Sequence, residues 1–269
     1  WSVERLVSPG KSLAVNKALA LIQTDYFVMT DVDSIIAKDS IKIFIEKFSS
    51  DPKIGAICGM METSEETPMK HYRKRFNSLR LWESYIDSTP IFEGSICAFR
   101  MSAIQSVKIS ANTNADDSQL AIICRRNGFR SIMTDDITFQ ECGIQSTSQY
   151  RRGLRRAQGL SRTLFHNREM ASFRNPYGRI YLHNLYFYSI MPWISIAGAS
   201  LMIFSIFSYI NHPLNSPDWT YIISLTMILS SCFHSISRTL IGGVVTLAHA
   251  HILTFFGFRL DIWKPSREE

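Results

Sequence analysis

"GKSLAVNKALALIQTDYFVMTDVDS", residues 10–34, decides the fold. Its first half, residues 12–23, is rich in helix formers and places Val15, Ala18, Leu19 and Ile22 on one face. Tyr26–Met29 then forms an apolar run of strand length, and two acids, Asp31 and Asp33, follow at its tip. A carboxylate is expensive to hold beside an apolar strand unless a cation compensates it. In an open α/β sheet, ligands gather at the carboxyl ends of strands. Hard oxygen donors there suit Mg²⁺ or Mn²⁺, which accepts a few protein carboxylates and completes its shell with phosphates. A pair of loop acids opening the next helix explains the same residues without a ligand.

Outward from this stretch the theme repeats. "KDSIKIFIEKFSSDP" sets Ile41, Phe44, Ile45 and Phe48 at helical spacing, with Asp39 or Ser40 as the start and Pro52 beyond the end. "KIGAICG" reads as a strand, "DDSQLAIICRRN" as a helix closed by Asn127-Gly128, and "FRSIMT" as another strand. Alternating helices and strands predict an α/β layer with a mostly parallel sheet flanked by helices. Residues 70–88 predict an amphipathic helix carrying Arg73, Lys74, Arg75 and Arg80, for which a solvated basic face and a substrate or membrane role weigh equally.

The remainder of the chain changes character. Of 269 residues with net charge +6, the basic excess gathers between 149 and 180, where eight arginines face the single acid Glu169. An apolar segment follows directly, so the partner expected for this stretch is a membrane surface and not nucleic acid. The segment from Tyr181 to Ile210 is long enough to cross a bilayer, which takes roughly 20 residues. The stretch from Trp219 to Phe258 has length for two more. The expected organisation is a catalytic unit over 1–148, a basic interfacial segment over 149–180, an all-α transmembrane region over 181–258 (about 181–210, 219–236 and 239–258) and a polar tail over 259–269. The positive-inside tendency places the catalytic side in the cytoplasm of a multi-pass cell-membrane protein. Cys58, Cys97, Cys124, Cys142 and Cys232 are scattered and odd in number, which points to a reducing compartment and away from structural zinc. His249 and His251 stand two apart on a helix, a poor metal pair. Pro192 is expected to kink the first span.

Further chemistry lies in two more stretches. In "NADDSQL", Asp116 and Asp117 open a helix; a carboxylate there is placed to take a proton from an attacking hydroxyl, and helix capping explains Asp116 equally well. "SQYRRGLRRAQG" supplies guanidiniums able to balance charge on a departing diphosphate.

Taken in order, "GKSLAVNKAL…YFVMTDVDS", "FEGSICAFR", "ADDSQLAIICRRNGFRS" and "RGLRRAQG", followed by apolar spans, resemble the membrane-bound glycosyltransferases of family 2, the branch that includes cellulose, chitin and hyaluronan synthases. The resemblance covers roughly residues 8–165 and implies a GT-A fold. It implies that Asp33 holds the metal bridging the donor diphosphate, that Asp31 contacts nucleotide or metal, and that Lys11 lies near the nucleotide. Phe92, Gly94 and Ser95 match a loop beside the acceptor, and Asp117, preceded by Asp116, matches the catalytic base, with Ala115 in place of the usual threonine. The family's Q-x-x-R-W pattern falls on Arg152-Gly-Leu-Arg155-Arg156, with arginine in place of both Gln and Trp; a rival register, Gln149 to Gly153, keeps Gln and Arg. The missing aromatic platform argues for a simpler transfer than processive polymer synthesis. The resemblance also implies a first βαβ unit upstream of Trp1. The activity it implies is inverting, metal-dependent transfer of a sugar from a nucleotide-diphosphate sugar, a UDP-sugar foremost, to a glycan or lipid-linked acceptor among membrane lipids. The alternatives are a sugar nucleotidyltransferase-like enzyme and a non-catalytic membrane transporter or scaffold.

Overall fold

The computed structural model describes residues 10–62, 68–104, 108–141, 146–211, 222–223, 225–226 and 235–260. Helix α1 (Lys11–Leu19) leads to strand β1 (Tyr26–Thr30), the short strand β2 (Ser34–Ile36) and helix α2 (Ser40–Ser50). Strand β3 (Ile54–Met61), helix α3 (Pro68–Ile86), strand β4 (Ile96–Arg100) and the turn-length α4 (Met101–Ile104) follow. Helix α5 (Asp116–Arg126), strand β5 (Arg130–Glu141) and helix α6 (Ser146–His166) complete the unit.

The five strands form one sheet in the order β1-β4-β3-β5-β2. The expectation of a mostly parallel sheet is corrected here. Only β3 and β5 run parallel, while β1–β4, β3–β4 and β2–β5 are antiparallel. The parallel pair is the one joined through a long excursion containing helices α3, α4 and α5, as a crossover requires.

Strand alternation builds two cores. Ala56, Cys58, Cys97 and Phe99 face one side with Leu120, Ala121 and Cys124 of α5, and Val15 and Leu19 of α1 pack onto them. Ile57, Ile96 and Ala98 face the other side with Phe44 and Phe48 of α2. In α2, Phe44 and Phe48 are buried, whereas Ile41 and Ile45 are exposed. The helix therefore touches the sheet along a narrower stripe than its four apolar residues indicated. Arg100 lies over the rings of Tyr26 and Phe48 and bonds the Tyr26 hydroxyl, closing the sheet edge onto α2.

After the 3₁₀ turn Arg168–Met170, helix α7 (Pro176–Leu185), capped by the Asn175 side chain on the Gly178 N–H, runs through a π-helical turn (Tyr186–Ile190) into α8 (Met191–Asn211). The π turn ends just before Pro192. Proline has no N–H for the Tyr188 carbonyl four residues earlier, and the Ser161 hydroxyl of α6 reaches that oxygen instead. Pro176–Ile210 is a helix of 35 residues, long and apolar enough to cross a membrane, and α8 shows Leu201, Ile203, Phe204 and Phe207 to its surroundings. Helix α9 (Ser235–Phe255) contains the shorter apolar stretch Thr239–Phe255 and packs against α6 and α8. The expected span at 219–236 falls largely outside the described residues, as do the 212–218 connection and the tail from 261. His249 and His251 serve packing: the first meets the Tyr150 hydroxyl at 2.8 Å, and the second accepts from the Trp193 indole at 3.1 Å.

Candidate active site

Three segments converge on one cavity of about 1740 Å³. The end of β1 delivers Asp31 and Asp33, the start of α5 delivers Asp116 and Asp117, and one face of α6 delivers Arg152, Arg155 and Arg156. The loop before β4 adds Phe92, Gly94 and Ser95, and the start of α1 adds Lys11. The structure thus brings every candidate residue to the same cleft. Gln149, the anchor of the rival register, has no described side chain.

Lys11 sits between the two acid pairs. Its ammonium donates to Asp31 Oδ1 at 2.7 Å. Burial alone would lower its pKa, but Asp31, Asp117 and Asp116 together raise it, so it stays charged. The Gly10 that precedes it has φ +155°, a backbone setting that favours glycine at this entry to α1.

Asp117 is the perturbed group. Burial pushes its carboxyl up to about 7; Lys11 opposes the rise, and Asp116 and Glu93 add to it. Oδ1 accepts the Ser118 N–H at 2.8 Å, which leaves Oδ2 toward Gly94. A Cβ at Gly94 would stand 3.0 Å from Asp117 Oδ2 and 3.6 Å from Lys11 Nζ, so the loop backbone passes close over the acid only because this residue has no side chain. Asp116 is oriented differently: its carboxylate takes the Ser12 hydroxyl, and at 2 % exposure it ties α1 to α5. Burial raises the Asp116 carboxyl as well.

The arginines crowd one another. Burial, Arg156 and Arg152 push Arg155 below its ordinary value, with Asp116 and Asp31 countering. Arg152 is 3.5 Å from Asp33 Oδ2. Such a cluster favours an incoming polyanion.

Asp31 and Asp33 fit a dication of the hard, oxygen-seeking kind by the chemistry of their donor set. Among the described residues no third His, Cys, Asp or Glu joins them, so the protein offers two carboxylates and the remaining donors must come from phosphate and water. Each carboxylate is meanwhile balanced by a side-chain cation, Lys11 or Arg152.

Several site residues were not singled out by sequence reasoning. Glu93 lines the cavity and accepts from both Arg73 and Arg80 at 2.7 Å. Arg80 is thereby buried, not on a solvated face. The signal existed: Arg73 and Arg80 stand seven apart, on one helix face, and the acid lies inside the quoted "FEGS". Ser118, which receives the Phe92 N–H at 3.1 Å, carried no signal. Cys58 and Cys97 are buried thiols raised by burial, which makes them inert packing.

A mixed sheet flanked by helices, with acids at a strand end facing an acid at a helix start across a cationic cleft, is a GT-A-like architecture. Residues 3–108 match the family model "Glycosyl transferase family 2", and that part of the chain is similar to glycosyltransferases of this family. Among solved structures, the mannosyltransferase PcManGT from Pyrobaculum calidifontis, in complex with GDP-Man and Mn²⁺, is similar to this chain with a TM-score of 0.78 and 22% identity. The alignment covers 95% of this chain and 69% of that one. No curated protein matches.

Proposed function

We propose that this chain is an inverting, metal-dependent glycosyltransferase that moves a sugar from a nucleotide-diphosphate sugar to a lipid-linked acceptor at a membrane. The observation that carries the reading is the single cavity in which Lys11 and Asp117 close on one point above Gly94, with Asp31 and Asp33 beside them. The acceptor oxygen loses its proton to Asp117 Oδ2, attacks the anomeric carbon, and the bond from that carbon to the diphosphate breaks with its electron pair leaving on the phosphate. With Asp116 tied to Ser12 and Glu93 tied to Arg73 and Arg80, Asp117 acts as the one base, which favours a single displacement, hence inversion. Asp31 and Asp33 would hold a divalent cation, which when bound would supply positive charge for the donor diphosphate. Lys11, Arg152, Arg155 and Arg156 bind and orient that diphosphate and stabilise the charge that develops on it. The arginine at 156, where the family pattern has tryptophan, trades a stacking platform for another cation.

The acceptor class is argued from the other half of the cavity. It continues from the acids into a trough between α8 and α9 lined by Met191, Ile196, Leu240, Val244 and Leu247. An amphiphile with an anionic head and an apolar chain complements the arginines at one end and this trough at the other. The long apolar helix Pro176–Ile210 supports a membrane setting for it. The neighbour in complex with GDP-Man and Mn²⁺ makes GDP-mannose a donor to test beside the UDP-sugars. The full chain in detergent, given GDP-mannose or UDP-sugars with Mn²⁺ or Mg²⁺ and a polyprenyl phosphate, is expected to release nucleoside diphosphate and glycosylate the lipid. Pyrophosphate chemistry would instead support a nucleotidyltransferase, and no turnover with any donor would support a binding protein.

A further inference from the structure

The loop between α3 and β4 is stitched to both acid pairs. Phe92 N–H bonds Ser118 Oγ, the residue after Asp117, and the Ser95 carbonyl accepts from Thr30, the residue before Asp31. Between these stitches lies Glu93, 8 % exposed, and Gly94, which rests on Asp117. One oxygen of Glu93 receives both Arg73 and Arg80 at 2.7 Å. Burial alone would raise the Glu93 carboxyl, but Arg73, Arg80 and Arg156 hold it down to about 2. Arg80 also meets the Tyr188 hydroxyl in the π turn, and neighbouring Glu83 takes the Asn184 amide of α7 at 2.6 Å. The clamp is therefore anchored in the long apolar helix as well as in α3.

Buried ion pairs give little net stability compared with apolar packing, so a charged clamp next to a catalytic acid asks for another reason. We infer that Glu93 is a positioning residue: held by Arg73 and Arg80, it fixes the 91–95 loop over Asp117, so that the acceptor oxygen and not water reaches the base. The inference rests on glycosyl transfer with Asp117 as the base. Glu93 itself takes no proton and touches no reacting atom. Loss of its grip lets the loop lift, and water then competes for the donor.

The test uses the full chain in detergent with Mn²⁺, whichever of GDP-mannose and UDP-glucose the wild type consumes, and undecaprenyl phosphate as the acceptor probe. The readout is the ratio of sugar transferred to the lipid against sugar released to water, with nucleotide affinity and thermal midpoint measured alongside. Misplacement near a reacting centre typically costs about a hundredfold, so Glu93→Ala is expected to lower the ratio by that order while nucleotide affinity changes less than about threefold. Glu93→Gln keeps an oxygen for both guanidiniums and is expected to recover most of the ratio. Arg73→Gln, on the partly exposed side of the clamp, is expected to lower the ratio about tenfold with the fold intact, which covers the case of an unstable Glu93→Ala. Wild type that transfers, with ratios unchanged in all three variants, overturns this inference alone. Ratios that fall only in step with thermal midpoint and nucleotide affinity also overturn it, because they mark a structural role. A wild type with no turnover overturns the functional reading, and this inference with it.

Discussion

Replacing Asp117 by Asn should damage the reaction and stabilise the protein at once, and the two effects should part company with pH. The carboxyl is raised from 3.8 to about 7, with burial as the main cause, Lys11 opposing it, and Asp116 and Glu93 assisting. A folded pKa above the unfolded one means that the folded state binds more protons between those values, so stability falls as pH rises through this window. At about 1.4 kcal/mol per pH unit, holding this acid costs the fold on the order of 2 kcal/mol at pH 5 and on the order of 4 kcal/mol at pH 8, where the charge is fully formed. Asn carries no such charge. Asp117→Asn should therefore raise the thermal midpoint clearly at pH 8 and much less at pH 5, while transfer falls by about 10²–10⁴-fold at both. In wild type, kcat/KM should decline below about pH 7 as Asp117 takes up its proton. Thermal melts at the two pH values, beside initial rates of nucleoside diphosphate release, check both halves. A variant with near-normal transfer would remove Asp117 as the base. A variant equally destabilised at both pH values would refute the buried-charge argument.

Gly94→Ala puts a methyl 3.0 Å from Asp117 Oδ2, so the carboxylate must shift by a few tenths of an ångström. Its kcat should fall about tenfold with little change in thermal midpoint, as steady-state rates and a melt would reveal. Removing divalent metal with a chelator should abolish transfer, with recovery on adding Mn²⁺ or Mg²⁺, and Asp33→Asn should blunt that recovery; titration of activity against metal concentration reads both. A side chain at Gly242, which lines the trough, would enter open space. Gly242→Phe should therefore fold normally, bind nucleotide normally and raise the KM for a polyprenyl phosphate at least tenfold, seen in acceptor titrations.

Local motifs carried most of the site. Asp31 and Asp33 announce themselves by following an apolar strand, and Asp116 and Asp117 by opening a helix, because in both places chain geometry alone fixes where the side chains begin. The arginines of α6 were visible as a cluster, and helical spacing puts Arg152, Arg155 and Arg156 on a common side. Strand direction was not legible. Apolar periodicity identifies β1 and β4 as strands, but their antiparallel pairing depends on partners about seventy residues apart, such as Tyr26 opposite Arg100. The exposure of Ile41 and Ile45 was not legible for a related reason: an amphipathic stripe gives a helix face, and only the sheet decides how much of that face it covers. Glu93 went unnoticed because its meaning lies in Arg73 and Arg80, which a separate helix carries to it. Asp116, for which capping was also a reading, and Asp117, matched to the base by resemblance, have different surroundings in the fold: Ser12 on one side and Gly94 on the other.

The most direct measurement is the anomeric configuration of the first product, read by proton NMR after brief incubation of the full chain with an α-linked nucleotide sugar, metal and a polyprenyl phosphate. A β-linked product is predicted, since one carboxylate deprotonates the acceptor on the face opposite the departing diphosphate. An α-linked product would contradict that arrangement and require a different role for Asp117.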